Sequence, residues 1–340
     1  MSVPDEKNEK KKLLSVNDLY TDIISARGLY HAVRGVSFDI YEKEILGIVG
    51  ESGCGKSMTA KSILRLNDEK KTFYRGNINY ETKDGYKNLL SLPSKDMEAL
   101  RGIDIAMISQ NPMAAFDPLY TVGEQIEEML RFHKKISRQE AHQQAVELME
   151  MVGIFPGEER SRQYPHEFSG GMLQRAAIAM MISCGPRLLI ADEPTTALDV
   201  TMQAQILNIL KKLNKGLDMS VMIITHNFGV VAEICDRVCV MYAGQIIECG
   251  TVEEIFKNPS HPYTCSLIRS IPKRGSDRSE LETIPGTPPR LNQEIKGCAF
   301  CDRCAYAKDT CKTSEPPVMG GESHWYKCSY PLNEVITDEK

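Results

Sequence analysis

The chain has 340 residues, 42% of them apolar, and a formal charge of −5 from 41 basic and 46 acidic side chains. That apolar content suits one large core or two domains and excludes a wholly disordered protein. Lys and Arg are spread along the chain, which excludes a nucleic-acid footprint. The one short basic cluster, Lys10-Lys11-Lys12, ends a polar N-terminal tail, residues 1–12, expected to be disordered. No apolar run approaches the ~18 residues that cross a bilayer, and residues 1–12 lack the apolar segment of a signal peptide. The expected location is the cytosol or the cytosolic face of a membrane.

In chain order, Leu13 to Leu19, Val33 to Ile40 and Asn77 to Tyr80 read as strands of an antiparallel sheet. Ile45 to Val49, Leu188 to Ala191, Val221 to Thr225 and Val238 to Tyr242 read as short buried strands of a parallel one. Directly after the first of these comes Gly50-Glu51-Ser52-Gly53-Cys54-Gly55-Lys56-Ser57, which fits G-x-x-x-x-G-K-[ST] at every fixed position. Its glycines allow successive backbone N–H groups to curl around phosphate oxygens. Lys56 can reach the β- and γ-phosphates, Ser57 can ligate Mg²⁺, and a helix from Met58 to Leu66 begins behind them. The competing explanation is a Gly-rich turn.

From about 85 to 168 the pattern turns helical. Ser137-Arg138-Gln139-Glu140 is a capping box, after which Ala141, Ala145, Leu148 and Val152 share one face, most simply for core packing. Phe168-Ser169-Gly170-Gly171-Met172 then opens the small-residue helix Ala176 to Ile182 with a hydroxyl and bare backbone N–H groups. That is a second phosphate cradle, and one chain does not need two. Leu188 to Glu193 is an apolar strand ending in two carboxylates, which places Asp192 beside Mg²⁺ and leaves Glu193 to polarise water; otherwise the acids merely begin a solvated loop. After Gly250 the composition becomes Pro-rich and then Cys-rich, marking a separate extension over residues 256–340. Five of the eleven cysteines fall in it from Cys298 onward.

The succession of phosphate loop, Gln110, Ser-Gly-Gly, Asp-Glu, Ala197-Leu198-Asp199 and His226 resembles an ABC-transporter ATPase over residues 13–255. The resemblance implies an α/β fold: a RecA-like P-loop core with an antiparallel β subdomain, a helical subdomain at about 85–168, and here a Cys-rich C-terminal extension. It implies ATP and Mg²⁺ held by Gly50 to Met58 and Asp192, with Glu193 activating water. Gln110 would sense Mg²⁺ and water and touch the membrane subunit, and His226 would contact the γ-phosphate. Ser169, Gly170 and Gly171 would close on the ATP of a partner in a head-to-tail dimer, with Asp199 at the interface. Met172 departs from the glutamine common there. Arg27, before Gly28, or Tyr30, after it, would stack on adenine, with Arg27 preferred by position.

Gln110-Asn111-Pro112-Met113, Thr121 to Ile126 and Ile255 to Thr264 resemble the di- and oligopeptide importer subfamily, which also includes nickel and oligosaccharide importers. This implies two membrane-spanning permease subunits, a second ATPase subunit (a paralogue) and an extracytoplasmic binding protein. A soluble ATPase acting on DNA or ribosomes, and a nucleotide-binding regulator without turnover, are the competing classes. Cys298, Cys304, Cys311 and Cys328 are spaced as in that subfamily's four-cysteine site, which implies a [4Fe–4S] cluster, although thiolates suit Zn²⁺ equally. Cys301 departs from the pattern and leaves the ligand set open. With the ATP site far off in sequence, loss of the metal is expected to spare hydrolysis more than assembly.

Overall fold

The computed structural model describes residues 11–26, 28–196, 198–271 and 283–332. β1 (Lys12–Ser25) and β2 (Gly28–Tyr41) form a long antiparallel pair, closed where Gly28 adopts φ +107°. β3 (Ile45–Val49) is wholly buried and runs through the phosphate loop into α1 (Lys56–Ile63). That helix stops short of Leu66 because Arg65 turns to positive φ. β4 (Thr72–Thr82) pairs with β1, and β5 (Gly85–Asn88) with β4. Residues 85–88 are therefore an edge strand and not part of a helical region. Gly85 at φ +99° makes the turn that sends the chain back antiparallel. α2 (Ser94–Leu100) and β6 (Ile105–Ile108) follow.

The helical body comprises α3 (Val122–Lys134), α4 (Arg138–Met151), α5 (Gly157–Ser161) and α6 (Gly170–Ile182). The Ser137 capping box forms, with Glu140 N donating to Ser137 Oγ and Ser137 N to Glu140 Oε2. On α4 the fully buried residues are Ala141, Ala145 and Met149, a strict i, i+4 stripe, while Leu148 lies at its margin. After it come β7 (Leu188–Asp192), α7 (Val200–Gly216), β8 (Ser220–Thr225), α8 (Phe228–Ile234), β9 (Arg237–Tyr242) and β10 (Gln245–Thr251). α9 (Val252–Lys257), α10 (Pro262–Arg269), α11 (Thr310–Thr313), β11 (Val318–Gly320) and β12 (Trp325–Lys327) complete the described chain.

The large sheet runs β11-β12-β10-β9-β3-β8-β7-β6, with β9, β3, β8, β7 and β6 parallel. Its alternation sorts side chains to two cores. Ile45, Leu189, Ala191, Val221 and Ile223 face the helical body, whereas Leu46, Ile48, Leu188, Ile190, Met222 and Ile224 face α1 and the antiparallel sheet. Three layers result. Burial on both faces explains why these strands read as continuous apolar runs.

The C-terminal residues are not a separate body. β12 pairs with β10 (Glu248 opposite Tyr326, Cys249 opposite Trp325), and β11 adds the outermost strand. Beneath the preceding segment, Tyr242, Tyr263, Leu291 and Phe300 share a third core with β9. A fully buried carboxylate joins the pieces: Glu248 accepts from Ser260 N (2.6 Å) and His261 N (2.9 Å), and His324 Nε2 lies 2.8 Å away. Glu248→Ala would orphan two buried backbone donors at a cost of about 3 kcal/mol. We expect denaturant unfolding to show that loss and the single Trp325, on the adjoining strand, to change emission. An unchanged midpoint would refute the anchoring role.

Candidate nucleotide site

Parallel pairing sets the site before any side chain does. Val49 sits opposite Thr225, Asp192 opposite Ile224 and Ile108 opposite Ala191, so the four strands end together and their loops gather at one edge. From β3 the chain enters the phosphate loop. A Cβ on Gly50 would collide with Met241 O, and one on Gly55 would lie 2.5 Å from Ala32 O; Gly53 and Gly55 adopt φ +79° and +107°. Only glycine satisfies these approaches, so the cradle fits a phosphate chain.

Lys56 is buried, and its Nζ donates to Gly50 O (2.7 Å) and Glu51 O (2.9 Å). Ser57 Oγ donates to Asp192 Oδ1 at 2.8 Å, joining the loop to the end of β7. These are hard oxygen donors, the set that suits Mg²⁺. Burial pushes the Asp192 carboxyl above its ordinary pKa and the Glu193 charge adds to this, with Ser57 and the lysines partly offsetting it. Cys54 is buried beside Lys56, and Met58 packs at the margin of the core below. Ser52 is exposed at the loop's crest.

Glu193 is held from three sides. Gln110 Nε2 donates to Oε2 (3.1 Å), Thr196 Oγ1 donates to the same oxygen (2.8 Å), and His226 Nδ1 lies 3.3 Å from Oε1. Burial alone would raise this carboxyl. The Thr196 hydrogen bond and the contacts with His226 and Lys56 outweigh it and hold Glu193 below the usual carboxylate range. An ionised carboxylate at the end of β7, one residue past Asp192, can accept a proton from water.

Ser169, Gly170 and Asp199 stand apart from this cluster. Ser169 Oγ accepts from Met172 N and Asp199 Oδ1 from Met202 N, so each caps its own helix. Ser169 and Gly170 are exposed, a Cβ on Gly170 would meet open space, and buried Gly171 packs on Met202. Tyr30 is 40% exposed on β2, whereas Arg27 lies outside the described residues.

Three residues at the site were not expected there: Thr196 and Arg303 stand in no motif, and Tyr263 belongs to a stretch read only as a mark of the subfamily. Thr196 holds Glu193. Tyr263, in α10, accepts a hydrogen bond from Glu51 N (3.0 Å), and Arg303 grips the Glu51 carboxylate at 2.7 and 3.0 Å. The expected isolation of the cysteine region from the ATP site is thereby corrected: sequence distance did not translate into spatial distance.

Cys298, Cys301, Cys304, Cys311 and Cys328 line one small pocket with His261, Phe300 and Tyr330. All are thiols. Among the described residues, no three His, Cys, Asp or Glu side chains are drawn together into a ready ligand shell. The donors suit a soft metal, and Cys301 shares the wall with the four expected ligands, so the pocket does not single it out as the extra one.

The ABC transporter family matches residues 33–196, and the oligopeptide/dipeptide transporter C-terminal region matches residues 247–311. The chain is 50% identical over 93% of its length to the oligopeptide transport ATP-binding protein OppD of Bacillus subtilis, covering 88% of that protein. It is 47% identical over 94% of its length to the dipeptide transport ATP-binding protein DppD of the same organism, covering 94% of it. Among solved structures, a dimeric ATP-binding cassette, MJ0796, in a post-hydrolysis state bound to ADP and Pi superimposes with a TM-score of 0.62 at 26% identity. That match covers 71% of this chain and 99% of that one. Phosphate loop, paired carboxylates and C-terminal region agree with these matches: the chain belongs to the ABC-transporter ATP-binding proteins, in the group that carries the oligopeptide/dipeptide C-terminal region.

Proposed function

We propose that this ABC-type ATPase powers import of di- or oligopeptides from the cytoplasmic face of a membrane. OppD and DppD, named for oligopeptide and dipeptide transport, support that cargo class. Among the described residues no helix is long and apolar enough to cross a membrane. In this reading two permease subunits provide the path and an extracytoplasmic binding protein selects the peptide. The observation that carries the hydrolytic role is the Glu193 carboxylate, ionised and oriented by Gln110, Thr196 and His226.

Gly50 to Met58 would cradle ATP, Lys56 leaving the loop carbonyls for the β- and γ-phosphates. Ser57 and Asp192, with Gln110 nearby, would hold Mg²⁺, which supplies charge neutralisation of the phosphates. Glu193 would accept the proton of the attacking water, and His226 would face the γ-phosphate. Tyr30 or Arg27 would stack on the base. Glu193→Gln keeps the hydrogen-bond frame and removes the base. We expect at least ~100-fold loss of steady-state ATPase activity with nucleotide affinity preserved. Unchanged turnover in the assembled transporter would overturn the assignment.

A second ATPase subunit, in our reading a paralogue, would bring its own bound ATP against Ser169, Gly170 and Gly171, with Asp199 at the same face. Exposure of an intact helix N-terminus that touches nothing in its own chain's site supports this. Gly170→Tyr has room in the single chain, so nucleotide binding by the isolated protein is expected to be normal while dimer closure and turnover fail. Equal loss of binding in the isolated chain would place the cradle in cis.

The cysteine pocket would hold a metal centre, a [4Fe–4S] cluster ahead of Zn²⁺, through Cys298, Cys304, Cys311 and Cys328. That the five thiols line one pocket supports it, although they are not drawn together into a ligand shell. Anaerobic elemental analysis should find about four irons per chain with broad absorption near ~400 nm. One zinc and no iron would replace the cluster, and neither metal would remove the centre.

A further inference from the structure

Arg303 belongs to the cysteine region by sequence and to the phosphate loop by contact. Its side chain is 5% exposed, and the guanidinium forks onto both oxygens of Glu51, Nη1 to Oε2 at 2.7 Å and Nη2 to Oε1 at 3.0 Å. The donor side is itself fixed, since Nε donates to Pro285 O (2.8 Å), Nη2 to Ile284 O (3.4 Å) and Nη1 to Tyr242 OH (3.3 Å). On the acceptor side, Glu51 N donates to Tyr263 OH and Glu51 O receives Lys56 Nζ. Every polar group of Glu51 is thus engaged, and two of its three kinds of contact come from residues beyond 260. The same segment also reaches β2, where His31 N donates to Leu291 O at 2.8 Å.

We propose that Arg303 is a positioning residue of the phosphate loop: through Glu51 it sets the direction of the loop's N–H groups and neutralises a carboxylate that would otherwise oppose the phosphates. It stands between Cys301 and Cys304, both on the wall of the thiol pocket, so a change in that wall moves the phosphate loop through one side chain. A bidentate pair is geometrically demanding, and lysine cannot reproduce it. The effect falls on nucleotide binding rather than on chemistry, because Arg303 is hydrogen-bonded to none of the groups around Glu193.

The inference rests on the phosphate loop being the ATP site, and the test separates the two. Equilibrium binding of a fluorescent ATP analogue to the full-length chain is measured together with ATPase KM and kcat in the assembled transporter. Arg303→Ala is expected to weaken binding about 10-fold and raise KM in parallel, with kcat within about twofold. Adding Glu51→Gln to Arg303→Ala removes the uncompensated charge, so the double variant binds no worse than Arg303→Ala alone. Arg303→Lys keeps charge without the fork and is expected at about threefold, which serves where Arg303→Ala fails to fold. Unchanged affinity in Arg303→Ala and Arg303→Lys, or losses that multiply in the double variant, would reduce Arg303 to a staple of the C-terminal segment. Lys56→Ala is the control: if it loses binding while the Arg303 variants do not, the inference falls and the ATP site stands. If Lys56→Ala also leaves binding unchanged, the site itself is misplaced and both fall.

Discussion

The common termination of four parallel strands is the constraint on which the site depends. Because β3, β8, β7 and β6 pair without a shift at their C-terminal ends, the phosphate loop, Glu193, His226 and Gln110 emerge side by side from segments far apart in sequence. Glu193 shows how tightly the backbone is specified. It takes φ +48°, rare for a residue with a side chain, and is kept there by its N–H donating to Ile224 O and by three side chains on its carboxylate. Its carboxylate is engaged by Gln110, Thr196 and His226, whereas Asp192 Oδ1 accepts from Ser57. Two adjacent acids thereby have different partners.

Burial differences reinforce that division. Asp192 lies deep enough for desolvation to favour its neutral form, a bias that a bound cation reverses. Glu193, less buried and supplied with donors, is ionised without help. Neighbouring carboxyls are thus shifted in opposite directions, which fits the proposed division between a cation ligand and a proton acceptor and which the bare dipeptide Asp-Glu does not encode.

Much of this was legible in the sequence because it depends on local chemistry. The glycines of the phosphate loop, the capping box at Ser137 and the apolar runs of β3, β7 and β8 announce themselves through backbone freedom, side-chain reach and two-sided burial. What escaped depends on long-range pairing. β5 is too short and too polar to show alternation, β10 to β12 form an antiparallel edge from segments some seventy residues apart, and Glu248 looks like any surface acid until its three partners are assembled around it. The break in composition after Gly250 suggested a separate unit. Pro and Cys enrichment reports how a segment holds itself, not where it docks.

The exposed Ser169 and Gly170 give the final step. At this solvent-exposed helix N-terminus the Ser169 hydroxyl accepts from Met172 N and a side chain at position 170 would meet open space, so the fold gains little by keeping Gly there. Gly there is unfavourable for the helix, and no neighbour among the described residues requires it, in contrast to Gly50 and Gly55, where backbone carbonyls forbid a side chain. The described residues of the single chain thus supply no packing reason for Gly at this position. In the reading proposed above, a surface that admits the phosphates of another subunit's nucleotide would account for both phosphate cradles, one completed by the chain's own strands and one left for a partner.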